Sequence, residues 1–571
     1  MFYNHRIGLH EAPYEIACTS DMLSERLETS CDKKTAKLVT LSLEEEEQAN
    51  TASDTRQPVP NSKEHDTFKS SVGILFSCLG SVVGTGNTWR FPRIVATCSE
   101  REGSLAFLVV WFVMLYIWSV PIALVEYTLG RFTRSSILGS VCKFLGTKAF
   151  WLGGWYAAVV MFVSAYYCVV VGWCVYYTFL SVVFALPSDE TEGLAAFNHL
   201  VRETYWPVLT HVLCAGVCGI CLYGGIRRIE KVNLVLVPLL LSLLFFILAW
   251  SLTREYAEVG IRFLFTPAWS SFSKPGLWIA AASQNAFDTA AGYGILTTLA
   301  SHFTRDKGAV RYGVLLPTMN NAVSLVCALT IYSTVFSTLI QASPTFTKSA
   351  ILRIIQSTGP GSTGLTFIWM PVLFSKLGLT GRVLCFVFFL CLVCAGLSTL
   401  VSNVQVYFAI FLELGVSRQI TVAICVLWVI CCGLPSSLSL EFLTNQDDVW
   451  GYALIVSGFM FAMLVILYGP MRYRRVVVND FGIHDWSLPF LWVPLITVAV
   501  PLIGLTLVGW WIHDMIVFDN DWRKINWNSL SIILLEWFAL FLVLLLVNGV
   551  VLWKRFNPYK DQVDEGIPPK D

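Results

Sequence analysis

Charge is scarce in this sequence. Lys, Arg, Asp and Glu make up 14% of 571 residues, against about 25% in ordinary soluble domains. The 39 basic and 39 acidic side chains cancel to zero net charge. A soluble chain of this length would form about four domains, and so little charge cannot cover their surface. A disordered chain and a conventional soluble enzyme are therefore excluded. No basic patch is present for nucleic acid, because the charges are confined to loops and tails. The chain also lacks a Walker-type loop, a nucleophile elbow and clustered metal ligands, and its eight histidines are scattered, so nothing points to catalysis. No Asn-X-Ser/Thr sequon occurs. The first 65 residues are polar, carry the acidic run Glu44 to Glu47 and lack the apolar core of a signal peptide, which makes them a solvated, disordered cytoplasmic tail.

What is present is apolar. Hydrophobic residues make up 55% of the chain and mean hydropathy is +0.63. They fall in runs with little charge, near the ~20 residues needed to cross a bilayer. The runs lie near 70–96, 104–129, 152–182, 206–223, 232–253 and 276–303, then 311–338, 383–412, 419–435, 449–470, 488–511 and 532–553. The reading is an all-α polytopic membrane protein of twelve spans, with a transporter domain over 66–555 and a short tail at 556–571. Arg131, Arg134, Lys143 and Lys148 follow the second run, and Arg227, Arg228 and Lys231 follow the fourth, whereas 186–205 is acidic. Because basic loops stay in the cytoplasm, both termini are expected there, and the plasma membrane is the expected location. Most of the 17 cysteines sit inside runs as small apolar residues. The spacing of Cys214, Cys218 and Cys221 superficially suggests a metal, but no His or carboxylate falls within 214–221.

Two runs are interrupted. The first holds Gly80, Gly84 and Gly86 with Pro92 beyond, and the sixth holds Gly292 and Gly294 beside Asp288, the single formal charge in 275–304. Each glycine weakens a helix by ~1 kcal/mol, and unwound backbone at membrane depth survives only where protein or a cavity satisfies it. One such cluster would be ordinary helix packing. Two in matching places, first and sixth, point to a five-plus-five inverted repeat with its site at the midplane. Broken helices offer amides to a carboxylate and carbonyls to Na⁺. Cation-coupled uptake of a small anionic or zwitterionic solute follows.

The run Gly84-Thr85-Gly86-Asn87-Thr88-Trp89-Arg90-Phe91-Pro92 resembles the GxGNxWRFP signature of the neurotransmitter:sodium symporter family, solute carrier family 6. Glu126 with Gly130-Arg131, Tyr166-Tyr167 before Trp173, Ala395 to Thr399, and Asp448 before Trp450 extend the resemblance over about 66–555. It implies a first sodium site at Val82, Asn87, Asp288 and Asn320, and a second at Gly80, Val83, Ala395, Ser398 and Thr399. It implies a substrate pocket of Gly84, Gly86, Val163, Tyr167, Phe287, Ala290, Tyr293 and Asn403, with Thr399 and Leu400 beside it. Gly84 stands where monoamine-transporting members have Asp, so the substrate implied is a neutral amino acid; a cationic or amine substrate on Asp288 is the alternative. Arg90 and Asp448 are the implied outer gate, His65 and Glu413 the inner one. At the family's chloride site Gln284, Asn320 and Ser324 match, but Trp111 replaces a Tyr and Asp288 a hydroxyl, which implies that the Asp288 carboxylate takes the place of chloride. The altered gates also leave room for a transport-impaired homologue acting as a sensor or trafficking partner. The lipid bilayer and a small amino acid are the expected partners.

Overall fold

The computed structural model describes residues 67–556, apart from 100–101, 343–344, 346, 357–362, 519–521 and 528. His65, the tail expected at 1–65 and the residues beyond Phe556 lie outside the described residues. Among the described residues the chain is helical, without strands. Among the described residues ten helices are long and apolar enough to cross a membrane. The first and sixth expected spans are each present as two shorter helices. The first pair is α1 (Ser71–Val82) and α2 (Gly86–Thr97). The other elements that position the site are α3 (Leu105–Thr133), α4 (Ile137–Leu145), α5 (Thr147–Val183), α6 (Trp206–Tyr223) and α7 (Gly225–Leu252). The second broken pair is α8 (Pro275–Asp288) and α9 (Ile295–Ala300). The remaining spanning helices are α10 (Ala309–Ala342), α11 (Gly378–Glu413), α12 (Arg418–Leu438), α13 (Leu440–Tyr468), α14 (Trp492–Val517) and α15 (Leu530–Trp553).

Burial sorts these helices into inner and outer ones. The most apolar stretch of α5 is 72% buried inside the protein, that of α15 only 11%, so α15 turns most of its surface outward, as a lipid-facing helix does. Cys214, Cys218 and Cys221 are buried among apolar side chains such as Val171, Leu400 and Val429.

Several boundaries differ from the apolar runs. Helix α7 starts at Gly225, before the run at 232, because Arg227, Arg228, Glu230 and Lys231 are helical. Helix α13 starts at Leu440, capped by the Ser439 hydroxyl, which accepts from the Phe442 amide. Asp448 therefore does not open the tenth span but lies more than two turns inside it. Arg131 is likewise no loop residue. It is buried in α3, donates to Asp485 at 2.6 Å and to the Lys307 carbonyl at 2.8 Å, an ion pair formed across 354 residues of sequence. Within α3 the backbone widens to a π turn at Leu115–Ser119. Such a turn re-aims one side chain, and here Trp118 is fully buried between α13 and α14. A methyl on Gly458 or Gly504 would come within 3.1 or 3.3 Å of its ring.

Candidate functional site: a cavity at two broken helices

The first break covers Val83 to Thr85. Val83 leaves the helix in an extended conformation, φ −77° and ψ 98°, and its amide still donates to the Leu79 carbonyl. The second break, Thr289 to Gly294, turns through left-handed backbone at Ala290 (φ 54°), Gly292 (φ 103°) and Gly294 (φ 77°). At Gly292 the need for glycine is twofold, since a Cβ there would also stand 3.0 Å from the Gly458 amide nitrogen. The exposed amides of this break rest on Glu126. Its carboxylate accepts from the Gly292 amide at 2.6 Å and the Thr297 amide at 3.4 Å, and the side chain is fully buried. A buried acid placed against free peptide N–H groups is how a break survives at membrane depth.

Between the breaks lies a cavity of about 150 Å³, the scale that accommodates a ring-sized organic molecule. Val82, Gly84, Gly86, Asn87 and Arg90 line it from the first span, Val163 and Tyr167 from α5, and Gln284, Phe287, Asp288, Ala290 and Tyr293 from the sixth span. Thr399 and Asn403 close it from α11. Leu400, Trp111 and Asp448 do not line it. Tyr167 places its hydroxyl 3.1 Å from the Thr85 hydroxyl and 3.4 Å from the Thr85 amide. A Cβ on Gly84 would lie 3.4 Å from that hydroxyl and 3.5 Å from Thr399 Oγ1, so any side chain at 84 intrudes on the cavity. The Gly84 amide itself is donated to Asn87 Oδ1 at 2.9 Å.

Of the residues expected to hold a first sodium, Asn87, Asp288 and Asn320 meet in one polar cluster with Ser324, and Val82 lines the cavity beside them. Asn87 Nδ2 donates to Asn320 Oδ1 at 2.9 Å and to Ser324 Oγ at 2.7 Å. Ser324 in turn donates to Asp288 Oδ2 at 2.7 Å, and Asn320 Nδ2 donates to the Asp288 carbonyl at 3.0 Å. All of these side chains are buried. The second set also converges. Thr399 Oγ1 donates to the Gly80 carbonyl at 3.1 Å and lies 3.4 Å from that of Val83, while Ser398 Oγ donates to the Ala395 carbonyl at 2.9 Å. Both sets offer only hard oxygens, and carbonyls that share one hydroxyl proton are oxygens a small cation can use. The donor chemistry fits Na⁺ in both places.

The expected chloride residues differ in kind. Trp111 packs against Phe91 with ring centroids 4.4 Å apart and planes tilted by 38°. Among the described residues its Nε1, like both amide atoms of Gln284, is buried without a hydrogen-bond partner. The gate residues are arranged differently from expectation as well. Among the described residues no ion pair joins Arg90 to Asp448. The Arg90 guanidinium lies 3.8 Å above the Phe287 ring, and it is Asp447, with Arg93 and Tyr166, that lines the cavity. Glu413 accepts from the amide and hydroxyl of Ser136, the N-cap of α4, both at 2.5 Å. Sequence reasoning missed Arg93, Asp447 and Asn233, and named Tyr166 without assigning it to the cavity. Asn233 lies on α7 beside the second set, its Oδ1 3.3 Å from where a Gly80 Cβ would stand, with neither amide atom bonded among the described residues. An Asn in an otherwise apolar run was the available signal.

The geometry has relatives among known proteins. A crystal structure of MhsT in complex with L-phenylalanine superposes with a TM-score of 0.65 and 26% identity, covering 78% of this chain and 99% of that one. An uncharacterised sodium-dependent transporter of Methanocaldococcus jannaschii is 28% identical over 465 residues, 78% of this chain and 90% of the relative. The sodium-dependent serotonin transporter of Drosophila melanogaster is 25% identical over 463 residues, 73% of this chain and 72% of that protein. Residues 65–203 and 199–555 match the sodium:neurotransmitter symporter family. With the broken spans, the polar clusters and nearly the whole described chain inside that match, the protein belongs to the sodium:neurotransmitter symporter family and is a sodium-dependent transporter, not an enzyme.

Proposed function

We propose that the chain couples two sodium ions to the uptake of a neutral amino acid, without chloride, across the plasma membrane and with both termini cytoplasmic. The observation that carries this reading is the cavity itself: the start of α2 and the Tyr167 hydroxyl line it together with Val163, Phe287, Ala290 and Asn403. A helix start attracts a carboxylate, and the mostly apolar wall suits an uncharged side chain. The first cluster supports one sodium, with Asn87, Asn320 and the Asp288 carboxylate, and the second supports another at Gly80, Val83, Ala395, Ser398 and Thr399.

Asp288 supports chloride independence. Its carboxylate, held by Ser324 at 2.7 Å, supplies the negative charge beside sodium that a halide would otherwise bring, and it would repel a second anion a few ångströms away. A cationic substrate is disfavoured because Arg90 and Arg93 in the cavity wall balance Asp288 and Asp447 and leave no excess negative charge. The convergence of both sodium sets also speaks against a transport-impaired homologue. Transport proceeds by alternating access around the breaks, and no covalent step is involved.

The test is uptake of a labelled panel of amino acids into proteoliposomes. Sodium is replaced in turn by potassium, lithium and choline, and chloride by gluconate. Uptake of a neutral amino acid that needs sodium and survives gluconate is the expected result. Chloride-dependent uptake sinks the role given to Asp288, and uptake of nothing under any condition sinks the transport reading.

A further inference from the structure

Helix α1 carries no acidic side chain in its first turn and no basic one in its last, yet its start is held by an acid from another helix. Glu230 of α7, 3% exposed, accepts three hydrogen bonds there. The Lys69 amide donates to Oε2 at 3.1 Å, and the Ser70 amide and hydroxyl both donate to Oε1 at 3.1 Å. Ser70 is also the N-cap of α1, its hydroxyl accepting from the Gly73 amide at 2.8 Å. A carboxylate at a helix start is favoured by charge as well as by hydrogen bonding. The fit is close: a Cβ on Gly73 would fall 1.9 Å from Glu230 Oε1. One and two turns along α7, Asn233 and Val237 meet α1 again at Gly80, where a Cβ would come within 2.8 Å of Val237 Cγ2.

The break at Val83 to Thr85 separates α1 from α2, so α1 can move as a short rod. Its far end, at Ser70, lies ~20 Å from that hinge at 1.5 Å per residue. The carbonyls of Gly80 and Val83 sit at the hinge end, facing Thr399. A small rotation at the break therefore becomes a large displacement at Glu230, and the two ends cannot open independently.

We propose that Glu230 is the latch that holds α1 closed over the second sodium set, on the face of the membrane where the chain enters α1, and that it must release Lys69 and Ser70 before the ion can leave on that side. Glu230 acts by positioning α1 and touches neither ion nor substrate. The inference rests on the proposed second sodium site, so one readout is kept free of sodium.

The full chain is reconstituted in proteoliposomes, and Cys78, fully buried on α1, serves as the native reporter. A membrane-impermeant maleimide is applied from each face separately, and Cys78 modification is read by peptide mass spectrometry. Without sodium, Glu230→Ala, which removes all three hydrogen bonds, and Gly73→Ala, which displaces the acid, each speed modification from one face by at least about tenfold, the equivalent of one charge-assisted hydrogen bond at 1.4 kcal/mol per decade. The double variant is no faster than Glu230→Ala alone, because Gly73→Ala acts only by displacing the acid. With sodium added, each variant needs about tenfold more ion than the parent to bring Cys78 down to the same modification rate, since its open form starts about tenfold more populated and only ion bound to the closed form draws it down. Unchanged modification in both single variants overturns the latch, as does a double variant whose effect is the product of the singles. If Glu230→Ala does not fold, Gly73→Ala and Ser70→Ala decide the question. A faster Cys78 reaction that sodium never suppresses keeps the latch and rejects the second sodium site.

Discussion

Replacing Thr399 by Val tests the second sodium set most directly. Val keeps the branched shape and removes the hydroxyl that sits 3.1 Å from the Gly80 carbonyl and 3.4 Å from that of Val83. In the ion-bound form the loss is one contact to a charged group, about 1.5–3 kcal/mol. In the ion-free form Val also removes a hydrogen bond, and since the 3.4 Å contact lies at the outer limit for one, only one bond counts, about 1 kcal/mol. The ion-free cost offsets part of the ion-bound loss. The difference is about 1.4 kcal/mol, a tenfold rise in the sodium dissociation constant. Thermal unfolding of purified protein reads this without knowing the substrate, because a ligand stabilises by RT ln(1 + [L]/Kd). At a sodium concentration about 100 times the parent's Kd the stabilisation is about 2.7 kcal/mol, and a tenfold weaker site retains about 1.4 kcal/mol. Thr399→Ser keeps the hydroxyl and retains nearly all of it. If Thr399→Val is stabilised by sodium as much as the parent, or Thr399→Ser loses as much as Val, the assignment fails.

Three further outcomes follow from the same geometry. Asp288→Asn removes the buried charge that Ser324 holds at 2.7 Å and abolishes sodium-dependent uptake, while Asp288→Ser restores it only when chloride is supplied, as an uptake assay in gluconate and chloride checks. Gly292→Ala meets both the left-handed φ of 103° and the Gly458 amide at 3.0 Å; a cost of about 1–3 kcal/mol shows as a lower unfolding temperature and lower uptake. Arg131→Ala leaves Asp485, 4% exposed, without its cation and costs about 3–5 kcal/mol, read as loss of folded protein on size exclusion; Arg131→Met with Asp485→Asn recovers much of it.

The breaks were legible because glycine is expensive in a membrane helix, and helix packing alone does not place two glycine clusters in matching spans. The cavity walls followed once Gly84 to Pro92 fixed the register of the first span. Asp447 and Asp448 show where reading stops. Successive residues of a helix point about 100° apart, and only packing against α5 and α8 decides which of two adjacent acids faces the cavity. Arg131 and Glu230 show a second limit. Both stand among basic residues that reveal orientation by their number, and nothing local says that one is buried against Asp485 or that the other holds Ser70. Their partners are 354 and 160 residues away. The extended starts of α7 and α13 were hidden because hydropathy follows lipid contact, whereas a helix continues through charged residues wherever its backbone bonds do.

Trp118 ties three distant positions into one unit of variation. Its ring occupies the room that Gly458 and Gly504 leave open, so a methyl on either glycine presses on the indole and asks it to give by a few tenths of an ångström, and the indole cannot shrink without leaving a void. Related chains should therefore show these positions changing together: a smaller residue at 118 accompanied by Ala or Ser at 458 or 504. In a directed-evolution library, combinations that conserve the summed volume of the three should be enriched over single changes at any one of them.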